Sequence, residues 1–325
     1  MANPLLDRNL IRHWASQSAL LFGSCGLALF SFAWVRVWVV SLLDLGQFET
    51  ILDQFRDFEK FAPVKFDALL SYSGRVGMTF DEPIVILCTV VWCISRGSDA
   101  VSGQLGRGTM EMLMGQPTAR RTVILSHASV SIIGLLLLCL LVWAGIGVGV
   151  AVTEIEETVP VASVRIPFTT INLPLESTEP VKQVVALSDR VDCRLYSSSV
   201  FSLFAFGFFL LGLSTLFSSF DQYRWRTIGF VVGVYVIQLV IFGLGKAAES
   251  LDWLLSFTFF SCYKPQPTSL LAYEEGLGAA WRFSGALPDF SLPPVWYPLI
   301  LIAAGVLFYL IAIHRFERRD LPAPL

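Results

Sequence analysis

Charge is scarce in this chain. Of its 325 residues, 15% are Asp, Glu, Lys or Arg, against about 25% in an average soluble domain. Histidine is scarcer still: His13, His127 and His314 are the only three, and they lie far apart in sequence. No His-Glu-x-x-His pair and no serine nucleophile elbow occurs, so an intramembrane hydrolase would have no catalytic cluster to work with. A phosphate-cradling loop is missing too. The one Gly-Lys pair, Gly245-Lys246, is followed by alanine, and Gly145, Gly147 and Gly149 fall in an apolar run where they suit close helix packing. A net charge of −3 carries no basic surplus for nucleic acid. The chain is not expected to be an enzyme, and no cofactor or metal is expected; Cys25, Cys88, Cys93 and Cys139 lie in apolar runs, as buried fillers do.

What the chain has in excess is apolar surface. Hydrophobic residues make up 54% of it and the mean hydropathy is +0.65, which would leave large exposed patches if water were the only solvent. A crossing of the hydrocarbon core takes about 20 mostly apolar residues. Runs at 19–43, 123–152, 199–220, 227–245 and 296–313 meet or nearly meet that length. A sixth, 83–95, is short, but extends through small residues to 103. The fold class expected is therefore all-α integral membrane, a single domain over 1–325 with six transmembrane helices near 19–43, 82–103, 123–152, 199–220, 227–245 and 296–313. The first run lacks a small-residue cleavage site and reads as a retained helix.

Charge asymmetry orients these spans. Segments before 19, at 96–122, at 221–226 and after 313 hold eleven Lys and Arg against six Asp and Glu. Segments 44–81, 153–196 and 246–295 hold eleven against nineteen. The positive-inside rule then puts both ends in the cytoplasm, in the cell (inner) membrane, and makes the three long segments extracytoplasmic. Arg36, between Trp34 and Trp38, reads as an interfacial snorkelling arginine. Apolar residues at helical spacing over 48–61 predict an amphipathic helix. Prolines at 160, 167, 174 and 180 separate β-prone stretches such as 169–173, predicting extended structure. The run 251–262 is too short to cross and reads as re-entrant or interfacial. In an oxidising compartment, Cys193 and Cys262 could pair and staple two outer segments together.

The most informative stretch follows the second span: Arg96-Gly-Ser-Asp99-Ala-Val-Ser-Gly103-Gln104-Leu-Gly106-Arg107-Gly108-Thr109-Met110-Glu111-Met112-Leu113-Met114-Gly115-Gln116-Pro117-Thr-Ala-Arg120. Gly106 and Gly108 free the backbone to turn, Thr109 can cap a short helix, and Pro117 stops it before the next span. Met110 and Met114, one turn apart, would offer an adaptable apolar contact.

This stretch resembles the permease subunits of ABC-2 type ABC transporters, whose second transmembrane helix is followed by Gly-Glu-x-x-x-Gly-Thr-[LM]-[ED]-x-Leu-Leu-x-x-Pro-x-x-Arg. The chain matches at Gly103, Gly108, Thr109, Met110, Glu111, Leu113, Pro117 and Arg120. The basic ending from Arg315 to Pro322 and the six-span layout are similar as well. Gln104 departs from the usual glutamate, and 153–196 is longer than the family's usual connection. The resemblance implies a cytoplasmic coupling helix that docks into a separate ABC ATPase subunit through Gly108, Thr109, Glu111, Leu113, Gln116 and Pro117, with Arg107 and Arg120 at its edges. It also implies a second permease half, identical or similar, and ATP-driven movement of a substrate across the bilayer, with export as the family's preference. Gly23, Gly26, Gly229 and Gly233 would permit close approach between halves. A secondary transporter or channel would need ionisable groups along a pathway, and apart from Arg36 the spans carry almost none. A membrane anchor for an extracytoplasmic complex is the remaining alternative, since the outer segments are long and acidic.

Overall fold

The computed structural model describes residues 6–42, 71–115, 119–159, 163–165, 172–174, 181–287 and 291–319. Among the described residues six helices are long and apolar enough to cross a membrane: Arg8–Ser41, Tyr72–Gly106, Arg120–Val152, Cys193–Phe220, Arg224–Ala247 and Trp296–Arg318. The chain is an all-α integral membrane protein. We call the end of the bundle where the first span begins and the sixth ends the terminal face, and the other the hairpin face. The amphipathic helix expected over 48–61 lies outside the described residues.

Each span begins where the local sequence allows it. The Asp7 carboxylate accepts from the amides of Asn9 and Leu10, capping the first helix. Within the second span, Pro83 opens the α-helix Pro83–Ser98, where its missing N–H costs nothing. The short apolar run at 83–95 becomes a full crossing because small residues carry the helix on to Gly106. Before Pro83, a helical turn Tyr72–Gly77 and a tighter one, Met78–Asp81, approach along the hairpin face.

Arg36 does not snorkel alone. Its Nε donates to Glu82 Oε1 at 2.9 Å, tying the first span to the start of the second, with both side chains largely covered. At that depth an unpaired charge is expensive. Arg36→Gln is expected to destabilise the protein by about 1 kcal/mol, with a double-mutant cycle against Glu82→Gln showing coupling of that size. Additive single effects would refute the pairing.

The fourth span is the most enclosed and the fifth the least. First and third spans pack along a seam where Gly145 meets the Phe30 carbonyl and Gly149 meets Val37; Gly147, by contrast, has open space beside it. Fourth and sixth spans meet at Gly212 and Gly305. On the fifth span only Thr227, Val231 and Gly245 are buried. Gly26 packs against Leu141 and Leu138 of the same chain, whereas a methyl group added at Gly23, Gly229 or Gly233 would meet no described residue within 4 Å.

The hairpin face carries the long connections. Strand β1 (Glu154–Val159) pairs antiparallel with β4 (Val181–Ala186), and β2 (Ser163–Arg165) with β3 (Asn172–Pro174), giving the extended structure that the prolines predict. The run 251–262 forms two tight helices, Glu249–Phe257 and Phe259–Cys262. The Thr258 hydroxyl donates to the Gln238 carbonyl at 3.2 Å, and Phe260 packs among Phe206, Tyr235 and Phe242. Gln238 lies nine residues before the end of the fifth helix at Ala247, a depth of about 13 Å at 1.5 Å per residue. The segment therefore dips back into the bundle. Cys193 and Cys262 are both half-buried free thiols, so where a disulfide is conceivable from the sequence the structure has none.

Candidate functional site

The last two turns of the second span build the site. Here the α-helix ending at Ser98 widens into a π-helical turn, Asp99–Gly103, a feature that often marks functional positions. Asp99 is 3% exposed and sits among three guanidinium groups. Arg107 Nη2 lies 2.7 Å from Oδ1, Arg224 Nη1 3.7 Å from the same oxygen, and Arg96 Nη1 4.0 Å from Oδ2. Gln104 Nε2 donates to Oδ2 at 3.2 Å. Gly103 leaves room for this carboxylate, because a methyl group there would collide with Asp99 Oδ1.

Arg96 is itself buried and reaches His127 Nε2 at 3.0 Å and Ser131 Oγ at 3.4 Å. A guanidinium has no acceptor, so Nε2 must accept, and the imidazole is the neutral tautomer protonated on Nδ1. His127 also packs edge-on to Trp14. It is a buried member of this network. Arg224, at the start of the fifth span, adds bonds to the Ser95 carbonyl and hydroxyl, both at 3.1 Å. Beside it, Ser102, Ser218 and Thr227 share hydroxyl contacts of 3.0–3.1 Å. Second, third, fourth and fifth spans are thus tied by polar contacts at one level.

Gln104, where the resembled pattern has glutamate, suits this network. Its Oε1 accepts from Thr109 Oγ1 at 2.6 Å while its Nε2 serves Asp99. A carboxylate could take the first bond but would face Asp99 with a like charge instead of the second.

Beyond Gly106 the chain turns through Gly108, whose φ of 71° is left-handed, a conformation glycine adopts without penalty. The helix Thr109–Met114 follows with no side-chain cap. Thr109 does not cap it; its hydroxyl points back to Gln104. Met110 is fully buried against Ala100, Val101, Ile124 and Phe316, with Met114 packed on the same cluster. Leu113 and Met114 also pack on Leu10, Trp14 and Val123. Positions 110, 113 and 114 therefore face the bundle, as i, i+3 and i+4 must share a face. Glu111 and Met112 face away, Met112 at 77% exposure. The outward methionine is thus Met112, not the pair Met110 and Met114, and Leu113 is an inward anchor.

Both edge arginines have internal roles. Arg107 holds Asp99. Arg120 Nη1 donates to the carbonyls of Phe316 (3.2 Å), Glu317 (3.3 Å) and Arg319 at the end of the sixth span, where a cation also suits the helix dipole. Arg319 in turn donates to the carbonyls of Ser219 and Asp221, at 3.0 and 2.9 Å, closing the fourth. Gln116 and Pro117 lie outside the described residues. Asp99 is the residue that motif reading passes over, although an acid set three residues after Arg96 and eight before Arg107 at a span's end was the available signal.

No curated protein matches the chain. A family model described as ABC-2 family transporter protein matches residues 25–321, from within the first span to just past the sixth. Taken with six membrane-crossing helices and an outward-facing helix after the second of them, this match establishes that the chain belongs to the ABC-2 family of transporter proteins, as a permease component.

Proposed function

We propose that the chain is one half of an exporter in which the helix Thr109–Met114 couples an ABC ATPase subunit to the spans. The observation that carries this is the helix's division of labour. Its inner face is locked into the bundle by Met110, Leu113 and Met114, and its outer face offers Glu111 and Met112 with no described residue over them. A push on that face has a direct route inward. Through Thr109 and Gln104 it reaches Asp99 and so the second and fifth spans; through Met110 and Phe316 it reaches the sixth. Packed side chains transmit such a displacement because interiors are close-packed.

In this reading the terminal face is cytoplasmic, in keeping with its basic loops, and the protein resides in the cell membrane. The second half pairs along the first and fifth spans. Support comes from the bare fifth helix, where Gly229 and Gly233, one turn apart, sit in open space beside exposed Val232, Val236, Ile237 and Val240. Small residues at that spacing let backbones approach closely in lipid.

The test is co-purification from solubilised membranes. An ABC ATPase is expected with the wild-type chain, and Glu111→Arg combined with Met112→Asp is expected to cut its retention about thirtyfold, the size of one interface hot spot of about 2 kcal/mol. Both substitutions are outward, so the chain itself should keep its melting temperature. Retention unchanged in the double variant would refute docking through this helix.

A further inference from the structure

A second polar feature of the terminal face plays no part in the coupling route. Between the end of the fourth span, the start of the fifth and the tail of the sixth lies an open cleft of about 480 Å³, within the roughly 300–1,000 Å³ of ligand pockets. Its mouth is cationic and its floor aromatic. Arg226 and Arg319 line the mouth, and Arg315 lies over the Phe220 ring at 5.5 Å. Phe217 and Phe230 line the floor, stacked 6.1 Å apart and nearly parallel. Phe230 lies four residues after Arg226 on the fifth helix, about 6 Å deeper into the membrane.

Among the described residues that line the cleft there is one acid, and it is already committed. Asp221 Oδ1 accepts from the amides of Gln222 and Tyr223, and Oδ2 lies 3.3 Å from Arg226 Nε. Among the described residues no acceptor takes the Nη groups of Arg226, whose side chain is 48% exposed. Arg319 uses Nη1 on backbone carbonyls. Burial first, and the neighbouring Arg315 second, hold its guanidinium below its ordinary value, as expected where positive charge is crowded. The fifth helix, 24 residues long, also begins at Arg224 without a side-chain cap, adding its positive dipole end.

A ligand matched to this cleft needs an anionic group at the membrane surface joined to an apolar portion reaching toward Phe230. We infer that the cleft binds the headgroup of an anionic phospholipid from the leaflet on the terminal face, with the guanidinium groups of Arg226 and Arg319 on its phosphate and the Phe217–Phe230 stack against its upper acyl chains. A free phosphate would use the mouth and leave the floor empty. An ATPase surface would not need the depth. The site therefore stands apart from the docking helix and does not depend on it.

Native mass spectrometry of the full chain, with thermal-shift titration, tests the inference using dioleoylphosphatidylglycerol, dioleoylphosphatidylcholine and inorganic phosphate as probes. The glycerol lipid is expected to be retained and to raise the melting temperature, the choline lipid to do so less. Arg226→Gln is expected to weaken the glycerol lipid about fivefold, near 1 kcal/mol per surface cation, Arg226→Lys to recover most of that loss, and added salt to shrink the difference. Arg282→Gln, on an exposed pair with Glu275 at the hairpin face, is expected to change nothing. Equal retention of the two lipids would overturn the inference, as would equal loss in Arg226→Gln and Arg282→Gln. Inorganic phosphate displacing the lipid at equal concentration would make the site one for free anions, and protection of Arg226 by the ATPase alone would make it a protein contact; either result overturns the lipid assignment.

Discussion

Asp99→Asn is expected to destabilise the protein by about 3–5 kcal/mol, the cost of leaving a buried cation without its counter-charge. The cation that matters most is Arg96, 3% exposed. Its remaining partners, His127 and Ser131, are neutral and cannot replace a carboxylate. Arg107 and Arg224 suffer less, because each is more than a third exposed and water can take up their charge. The variant Asp99→Asn with Arg96→Gln should therefore recover a large part of the loss, whereas Asp99→Asn with Arg107→Gln should not. Unfolding followed in mixed micelles with tryptophan fluorescence reads all three, since Trp14 and Trp92 are buried nearby. An Asp99→Asn chain that melts with the wild type would remove the carboxylate from its place as the hub of the terminal face, and with it the route from the 109–114 helix to the fifth span.

The same residue shows where sequence reading stops. Six spans are legible because a bilayer demands long apolar runs, and even the short run at 83–95 can be extended by noticing the small residues that follow it. The pattern Gly103, Gly108, Thr109 and Glu111 singles out the loop that follows the second span. Which way each side chain of that loop faces is not legible, because a helix of six residues is too short for periodicity to declare a buried side. Only the third span's Ile124 and the sixth span's Phe316, packed over Met110, settle it. Arg36 and Glu82 are 46 residues apart, and nothing local announces the pair. Gly23 and Gly26 look alike as small residues on an apolar helix, yet one is open and the other carries Leu141, a distinction that belongs to packing between spans.

That distinction yields the second large effect. Gly212→Val is expected to destabilise the chain by about 3 kcal/mol, the upper range for overpacking a close-packed seam. A methyl group at 212 would stand 2.7 Å from the Gly305 carbonyl oxygen and 3.1 Å from its Cα. Backbone cannot swing aside as a side chain can, so the fourth and sixth spans must separate. Separation matters more in lipid than in water, because dispersion contacts between helices have no hydrophobic drive behind them. It would also shift Phe316 against Met110, and Arg120 and Arg319 against the carbonyls they close. Gly145→Val should behave alike at the seam of first and third spans, its methyl 2.6 Å from the Phe30 carbonyl oxygen. Gly229→Val and Gly233→Val, with open space in the single chain, should leave its melting temperature near wild type and lower the dimer fraction seen by light scattering in detergent. If all four substitutions lower the melting temperature equally, the fifth span packs within one chain and the pairing proposed along it is refuted. If only the first pair does, and only the second pair lowers the dimer fraction, the same small-residue chemistry serves two purposes, fixing the fold of the chain at Gly145 and Gly212 and pairing two copies at Gly229 and Gly233.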